Sequence, residues 1–271
     1  MEQPSFPSPD QKDCTNVTSA PISYRLLHDA LGSDDDPCML FARAVRRTVQ
    51  GFVPHAVYAA AAAASVPVPL RQVARELALE ANPLAALFAQ AGGADSLRQR
   101  WNGFNATARL GVRTHIEAIA VVRRTAGDGR GAALRAELIA ACIEALNDAA
   151  ALAAPRADLR QGWHEAQGGG VPAELLALLY GEPGRPLAEA ARGLGCAPRT
   201  VQRALARLGL TYDVLRQAVR LTIAGRLLRD GTVTVTAAAH VAGFYDAAHL
   251  NRAWRMACDI TPLRYRALAR L

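Results

Sequence analysis

The side chains best suited to chemistry in this sequence lie near its end. Arg199, Thr200, Gln202 and Arg203 follow Pro198, while Val201, Leu205 and Leu208 recur at helical spacing. The apolar three would face a core, leaving Arg199, Gln202, Arg203 and Ala206 on the opposite face. An arginine fork bridges O6 and N7 of guanine, and a glutamine amide pairs with N6 and N7 of adenine. His249, Asn251, Arg252 and Arg255, with Ala248, surround the outward side of a second helix, Ala247 to Ala257, whose Leu250, Trp254 and Ala257 point inward. Such side chains read a surface and do not break bonds. Gly-x-Ser-x-Gly, His-Glu-x-x-His and paired cysteine ligands are all missing, and the only lysine is Lys12. His28, His55, His115 and His164 have no carboxylate or cysteine arrangement around them that suggests a triad or a metal. No catalytic residue, metal or cofactor is expected, and the chain does not read as an enzyme.

Each reading helix needs a frame. Pro186 to Gly193 reads as a short helix, Gly195 as a turn, and Pro198 as the first turn of the second helix. This is the helix-turn-helix plan. About 46 residues later it recurs: Thr234, as its cap, opens a short helix, Gly243-Phe244-Tyr245 turns, and Asp246 caps the second helix. Between them Tyr212 to Arg229 forms an amphipathic helix with Val214, Leu215, Ala218, Leu221, Ala224 and Leu228 as its stripe. At 1.5 Å per residue it would span roughly 27 Å. Two reading helices on one duplex face need a separation near 34 Å. A stiff connector of that length would let one chain read a two-part, non-palindromic site.

Charge separates this region from the rest. Residues 1–171 carry 17 basic and 17 acidic side chains, whereas residues 172–271 carry 14 and 7, so the whole surplus of +7 lies in the last hundred residues. That asymmetry points to a polyanion, nucleic acid first. Pro155, Gly162, Gly168-Gly169-Gly170 and Pro172 coincide with the charge step, so residues 155–172 read as a linker. Residues 1–37 read as a disordered tail, with Asp34-Asp35-Asp36-Pro37 a solvated turn before a helix. Residues 38–154 read as a helical domain for regulation, self-association or partner binding, and residues 173–271 as the DNA-binding domain. The fold class is all-α. In the front domain Met39, Leu40, Ala44, Val45 and Val49 form one helix face, with Arg43, Arg46 and Arg47 opposite. Further helices are expected near 55–65, 68–81, 83–91, 103–125 and 131–152, with a plain turn at Gly127–Gly131. Trp101, Phe104, His115 and Trp163 could line a ligand pocket, though scattered aromatics in a helical domain are more often core. Five scattered cysteines (Cys14, Cys38, Cys142, Cys196, Cys258), the lack of a signal segment and the lack of a bilayer-spanning run suggest a reducing cytoplasm and no membrane partner.

Residues 186–266 resemble the DNA-binding domain of the AraC/XylS family of bacterial transcription regulators. The resemblance rests on Ala197-Pro198-Arg199-Thr200-Val201-Gln202-Arg203, on Val219-Arg220 to Ala224 and Leu227-Leu228, on Gly243-Phe244-Tyr245-Asp246-Ala247-Ala248-His249-Leu250-Asn251-Arg252-Ala253-Trp254, and on the closing Ile260-Thr261-Pro262-Leu263-Arg264-Tyr265-Arg266. It implies that Arg199, Gln202 and Arg203 enter one major groove and His249, Asn251 and Arg252 the next. It also implies double-stranded DNA and RNA polymerase as partners, a small-molecule or protein effector at the front domain, compatibility with a homodimer, activation over repression, and a nucleoid-associated location. The chain departs from the family pattern at Ala197, Ala237, Ala247, Ala248, Trp254 and Asp259, so weaker or more backbone-dominated binding is expected of the second unit. The front half reads as Ala-rich helices and does not resemble the β-barrel that many members carry. A non-sequence-specific architectural DNA binder and an enzymatic front domain are the alternatives.

Overall fold

The computed structural model describes residues 18–19, 36–54, 81–110, 113–118, 121–126, 143–144 and 158–271. Among these residues the protein is mostly helical, as expected. Helix α1 (Pro37–Val49) starts where the Asp36 carboxylate accepts the Cys38 amide at 2.9 Å and Pro37 fills the first position. The reading of Asp36-Pro37 as the entry to a helix therefore holds. The reading of its basic face does not: Arg43 and Arg47 are buried, Arg47 completely. The reason is that α1 is enclosed by neighbours on more than one side. Helix α2 (Pro83–Ala89), capped by Asn82, and helix α3 (Ala94–Asn105) follow.

The expected helix over 103–125 is corrected by the structure. Strands β3 (Arg113–Ala118) and β4 (Val121–Ala126) form an antiparallel hairpin; β1 (Thr18–Ser19) and β2 (Val53–Pro54) make a shorter ribbon. The first ribbon also places Thr18–Ser19, inside the expected tail, in a strand. In β3, Thr114 and Ile116 are buried and Arg113, His115 and Glu117 exposed, which is period two and not 3.6. Helix α3 satisfies the outer edge of β3. Asn102 accepts the Ile116 amide (2.8 Å) and donates to its carbonyl (2.9 Å), while Asn105 accepts the Thr114 amide (3.0 Å). Two carboxamides thus do the work of a third strand. The expected helices over 55–65, 68–80 and most of 131–152, the Gly127–Gly131 turn and most of residues 1–37 lie outside the described residues.

Within the expected linker, Leu159–Glu165 is a helix (α4), capped by Asp158, with Trp163 tilted against Phe41 at 4.9 Å. Then come α5 (Val171–Gly181), α6 (Leu187–Gly193), α7 (Pro198–Ala206), α8 (Tyr212–Asp230), α9 (Val235–Val241), α10 (Ala247–Cys258) and α11 (Pro262–Ala269). Trp101, Phe104 and Trp163 belong to the core, and His115 is exposed on β3, so these four do not converge on a pocket. Among the described residues, one buried apolar cluster joins Phe41 of α1 to Leu268 of α11.

Helix α8 is the axis of that cluster. Thr211 caps its start and Gly231, in the left-handed conformation, ends it. Every residue from Ala218 to Gly225 is buried. More than two turns are therefore covered all round. α1 and α2 cover part of it, and Pro83 presses so closely that a Cβ on Gly225 would stand 2.9 Å from the Pro83 Cβ. Polar bonds reinforce the junction. Asn82 Nδ2 donates to the carbonyls of Arg47 (2.9 Å) and Ala257 (3.0 Å). The Gly51 amide donates to Met256 O (3.3 Å), Tyr265 Oη to Pro83 O (2.9 Å), and Arg100 to Ala269 O (2.9 Å). The Asp259 carboxylate, beyond the end of α10, accepts the Arg109 amide at 2.6 Å.

Candidate nucleic-acid interface

The two turn regions are built alike. After α6, Gly195 (φ +63°) donates to Arg192 O (3.0 Å) and Cys196 to Ala191 O (3.0 Å); after α9, Gly243 (φ +77°) donates to His240 O (3.0 Å) and Phe244 to Ala239 O (2.9 Å). This paired pattern, a glycine in the left-handed region closing the last turn, is a Schellman ending. It sends each chain directly into the next helix. The second turn is one residue longer, and the extra residue is Tyr245. Helix α7 begins at Ala197 with no side-chain cap, only Pro198 in its first turn. Helix α10 is capped by Asp246, whose carboxylate accepts the His249 amide at 2.6 Å, and α9 by Thr234, as the sequence predicts.

Val201 and Leu205 bury one side of α7, as Leu250 and Trp254 bury one side of α10. On the opposite side of α7, Arg199, Gln202 and Arg203 are exposed, joined by Arg207 just beyond its end, which sequence reasoning did not select. Thr200 is half-buried. On α10 the outward row is Ala248, Arg252, Arg255 and Met256. Aligning the buried pairs sets Arg203 opposite Arg252 and Arg199 opposite Ala248, so the second face has one fewer guanidinium near its N-terminal end. His249 is half-buried, edge-on to Phe244 at 5.2 Å, with its Nδ1 3.5 Å from the Tyr245 amide. Asn251 is also half-buried, and its Oδ1 is enclosed with no hydrogen-bond partner among the described residues. These two serve the turn and the helix flank more than the outward row. Tyr245, 85% exposed, stands beside that row; its signal in the sequence was only its position in the turn.

The electrostatics separate structural from free arginines. Arg216 pairs with Asp213 (2.7 Å), Arg185 with Glu182, and Arg266 donates to Val233 O (3.1 Å). Arg220 donates from Nε to Pro183 O (2.8 Å); burial lowers its pKa, as it does that of Arg100. By contrast, Arg199, Arg203, Arg252 and Arg255 make no salt bridge among the described residues, so their charge is available to an incoming anion. No group of His, Cys, Asp and Glu among the described residues could hold a metal ion. No helix among the described residues is long and apolar enough to cross a membrane.

Two helix-turn-helix units joined by one long helix, each with an arginine-bearing outer face, define a DNA-binding transcription regulator. Residues 190–268 match the family described as a helix-turn-helix domain, within the stretch whose sequence resembles the AraC/XylS DNA-binding domain. No curated protein matches the chain. Solved structures similar to it include ToxT from Vibrio cholerae O395 (11% identity, TM-score 0.34, 56% of this chain and 62% of that one). An unsaturated fatty acid-bound ToxT from Vibrio cholerae strain SCE256 is similar at 8% identity and TM-score 0.34, over 61% of this chain and 60% of that one. The transcriptional regulator CdpR from Pseudomonas aeruginosa is similar at 15% identity and TM-score 0.32, over 91% of this chain and 98% of that one. The chain thus spans less than two thirds of the two ToxT structures.

Proposed function

We propose that the protein recognises a specific two-part DNA sequence, with α7 in one major groove and α10 in the next, and that it acts on transcription mainly as an activator with RNA polymerase as its partner. The observation that carries this reading is the pair of equivalent outward faces, Arg199–Gln202–Arg203 and Arg252–Arg255, free of salt bridges among the described residues and set on one buried axis. Residues 38–154 serve as the regulatory part and residues 173–271 as the reading part.

Selection of a binding sequence from genomic DNA, followed by titration of variants, tests this. Arg199→Ala, Arg203→Ala and Arg252→Ala should each cost about 1–3 kcal/mol and relax discrimination at one base position. Wild-type affinity in all three would sink the groove-docking reading. Arg255→Ala, at a position suited to a phosphate, should weaken all sequences alike and reduce the salt slope by about one. The architectural alternative predicts equal affinity for random DNA, whereas a specific regulator should favour its site by roughly 10³ or more.

A further inference from the structure

The α5–α6 loop belongs to the first helix-turn-helix unit and the Gly243 turn to the second, yet they touch. Tyr212, Arg216 and Arg220 recur every four residues along α8, and all three reach that loop. Tyr212 Oη donates to Arg185 O at 2.7 Å, Arg216 to the same carbonyl at 3.4 Å, and Arg220 Nε to Pro183 O at 2.8 Å. Arg220 also faces the second unit, its guanidinium carbon 5.8 Å from the centre of the Phe244 ring. Phe244 is buried and follows Gly243, the glycine that closes α9. A Cβ on Gly243 would lie 2.7 Å from the Gly184 nitrogen and 2.9 Å from the Pro183 carbonyl carbon. Two backbones from different units are therefore in direct contact beside one buried guanidinium, just ahead of the reading helix α10.

We propose that Arg220, with the Gly243–Gly184 backbone contact, is a positioning device that fixes the distance and rotation between the two reading helices and so determines the spacing of the two half-sites. This rests on the two-groove reading above. Stiffness of α8 alone would not suffice, because each unit could still roll about its end of the helix. The brace ties the units to each other directly. A site lengthened by one base pair moves its second half by about 3.4 Å and turns it by about a tenth of a helical turn. A rigid pair cannot follow both halves at once and loses the advantage of linked binding, which is about 10²-fold or more. A hinged pair follows at little cost.

The test uses the full chain and duplexes carrying the selected site with its spacer changed by −1, 0, +1 and +2 base pairs. Wild type should bind the natural spacer about 10²-fold more tightly than its neighbours. Arg220→Ala and Gly243→Ala should shrink that ratio about tenfold or more while binding to an isolated half-site stays within a few-fold. Arg220→Lys, which keeps a donor for Pro183 O, should restore most of the preference. A purely stabilising role would lower affinity on every duplex equally and leave the ratio unchanged, and that result in the folded variants overturns the proposal. If neither variant folds, the wild-type profile decides: a flat profile overturns it, and a peak retained by Arg220→Lys supports it. Arg203→Ala and Arg252→Ala separate the two levels. If they bind normally, the two-groove reading has failed; if they bind weakly while wild type tolerates every spacer, only the brace has failed.

Discussion

Asn82→Ala is expected to destabilise the protein by about 3 kcal/mol, because one buried carboxamide joins three elements. Its Nδ2 donates to the last-turn carbonyls of α1 (Arg47) and α10 (Ala257), and its Oδ1 caps α2 by accepting the Leu84 amide at 2.8 Å. The Cys258 thiol, whose pKa is pushed up by complete burial, lies 3.9 Å from the same oxygen. Truncation leaves an amide and two carbonyls in an apolar setting. An unmade buried bond costs about 1–3 kcal/mol, and loss of the cap about 1 kcal/mol. Carbonyls tolerate under-satisfaction better than amides, which keeps the sum near the lower end. Urea unfolding should show a lower midpoint with an unchanged slope. Asn82→Asp retains the cap acceptor but removes both donors and buries a charge, so it should be no better. A loss below about 0.5 kcal/mol for Asn82→Ala would mean that water replaces the amide and that the junction is looser than drawn.

Much of this architecture was legible in the sequence, and the failures have identifiable causes. The reading helices, their caps at Thr234 and Asp246 and the connecting helix follow from local signals: period 3.6, a polar cap, a glycine that must be left-handed. Those signals act within a few residues and survive any tertiary context. The hairpin over 113–126 was misread because alanines 118, 120 and 126 suggest helix. What decides its conformation is remote: Asn102 and Asn105 complete the edge of β3, and Trp101 Nε1 donates to the Thr114 hydroxyl at 2.9 Å. The buried arginines of α1 were misread for a similar reason. A basic face normally meets water, and the packing of α4, α8 and α10 around α1 reverses that. At the candidate interface, charge placement identified Arg199, Arg203 and Arg252. Arg220 reads from the sequence as structural or phosphate-positioning, and which of the two it is depends on a carbonyl 37 residues away in sequence.

Residues 172–271 produced alone are expected not to fold into a stable, unique structure, although they contain both helix-turn-helix units. The charge step and the glycines near residue 170 report composition, and neither reports packing. In the chain, Ala218 to Gly225 of α8 is buried on every side, and one of those sides is formed by α1 and α2. Cutting at 172 would expose this flank and remove Pro83, whose carbonyl accepts from Tyr265 Oη beside the buried Trp254–Tyr265 pair. Burial also raises the Tyr265 pKa to about 12, so this phenol remains a proton donor at neutral pH and is stranded when its acceptor leaves. The two bonds that tie α3 to α11, Arg100 to Ala269 O and Arg264 to Gly103 O, are lost together. A small domain has little stability to spare, and newly exposed apolar surface costs about 25 cal/mol per Å². The expected result is a broad thermal transition, dye binding to exposed apolar surface, and weak, poorly discriminating DNA binding. Supplying residues 1–171 as a second chain should sharpen the transition. A fragment that melts cooperatively within a few degrees of the full chain would show that the front helices merely rest on the reading domain. The contacts of α1 and α2 reach both units: Asn82 and the Gly51 amide bond the last turn of α10, and Arg46 donates to Gly209 O, just beyond α7, at 3.1 Å.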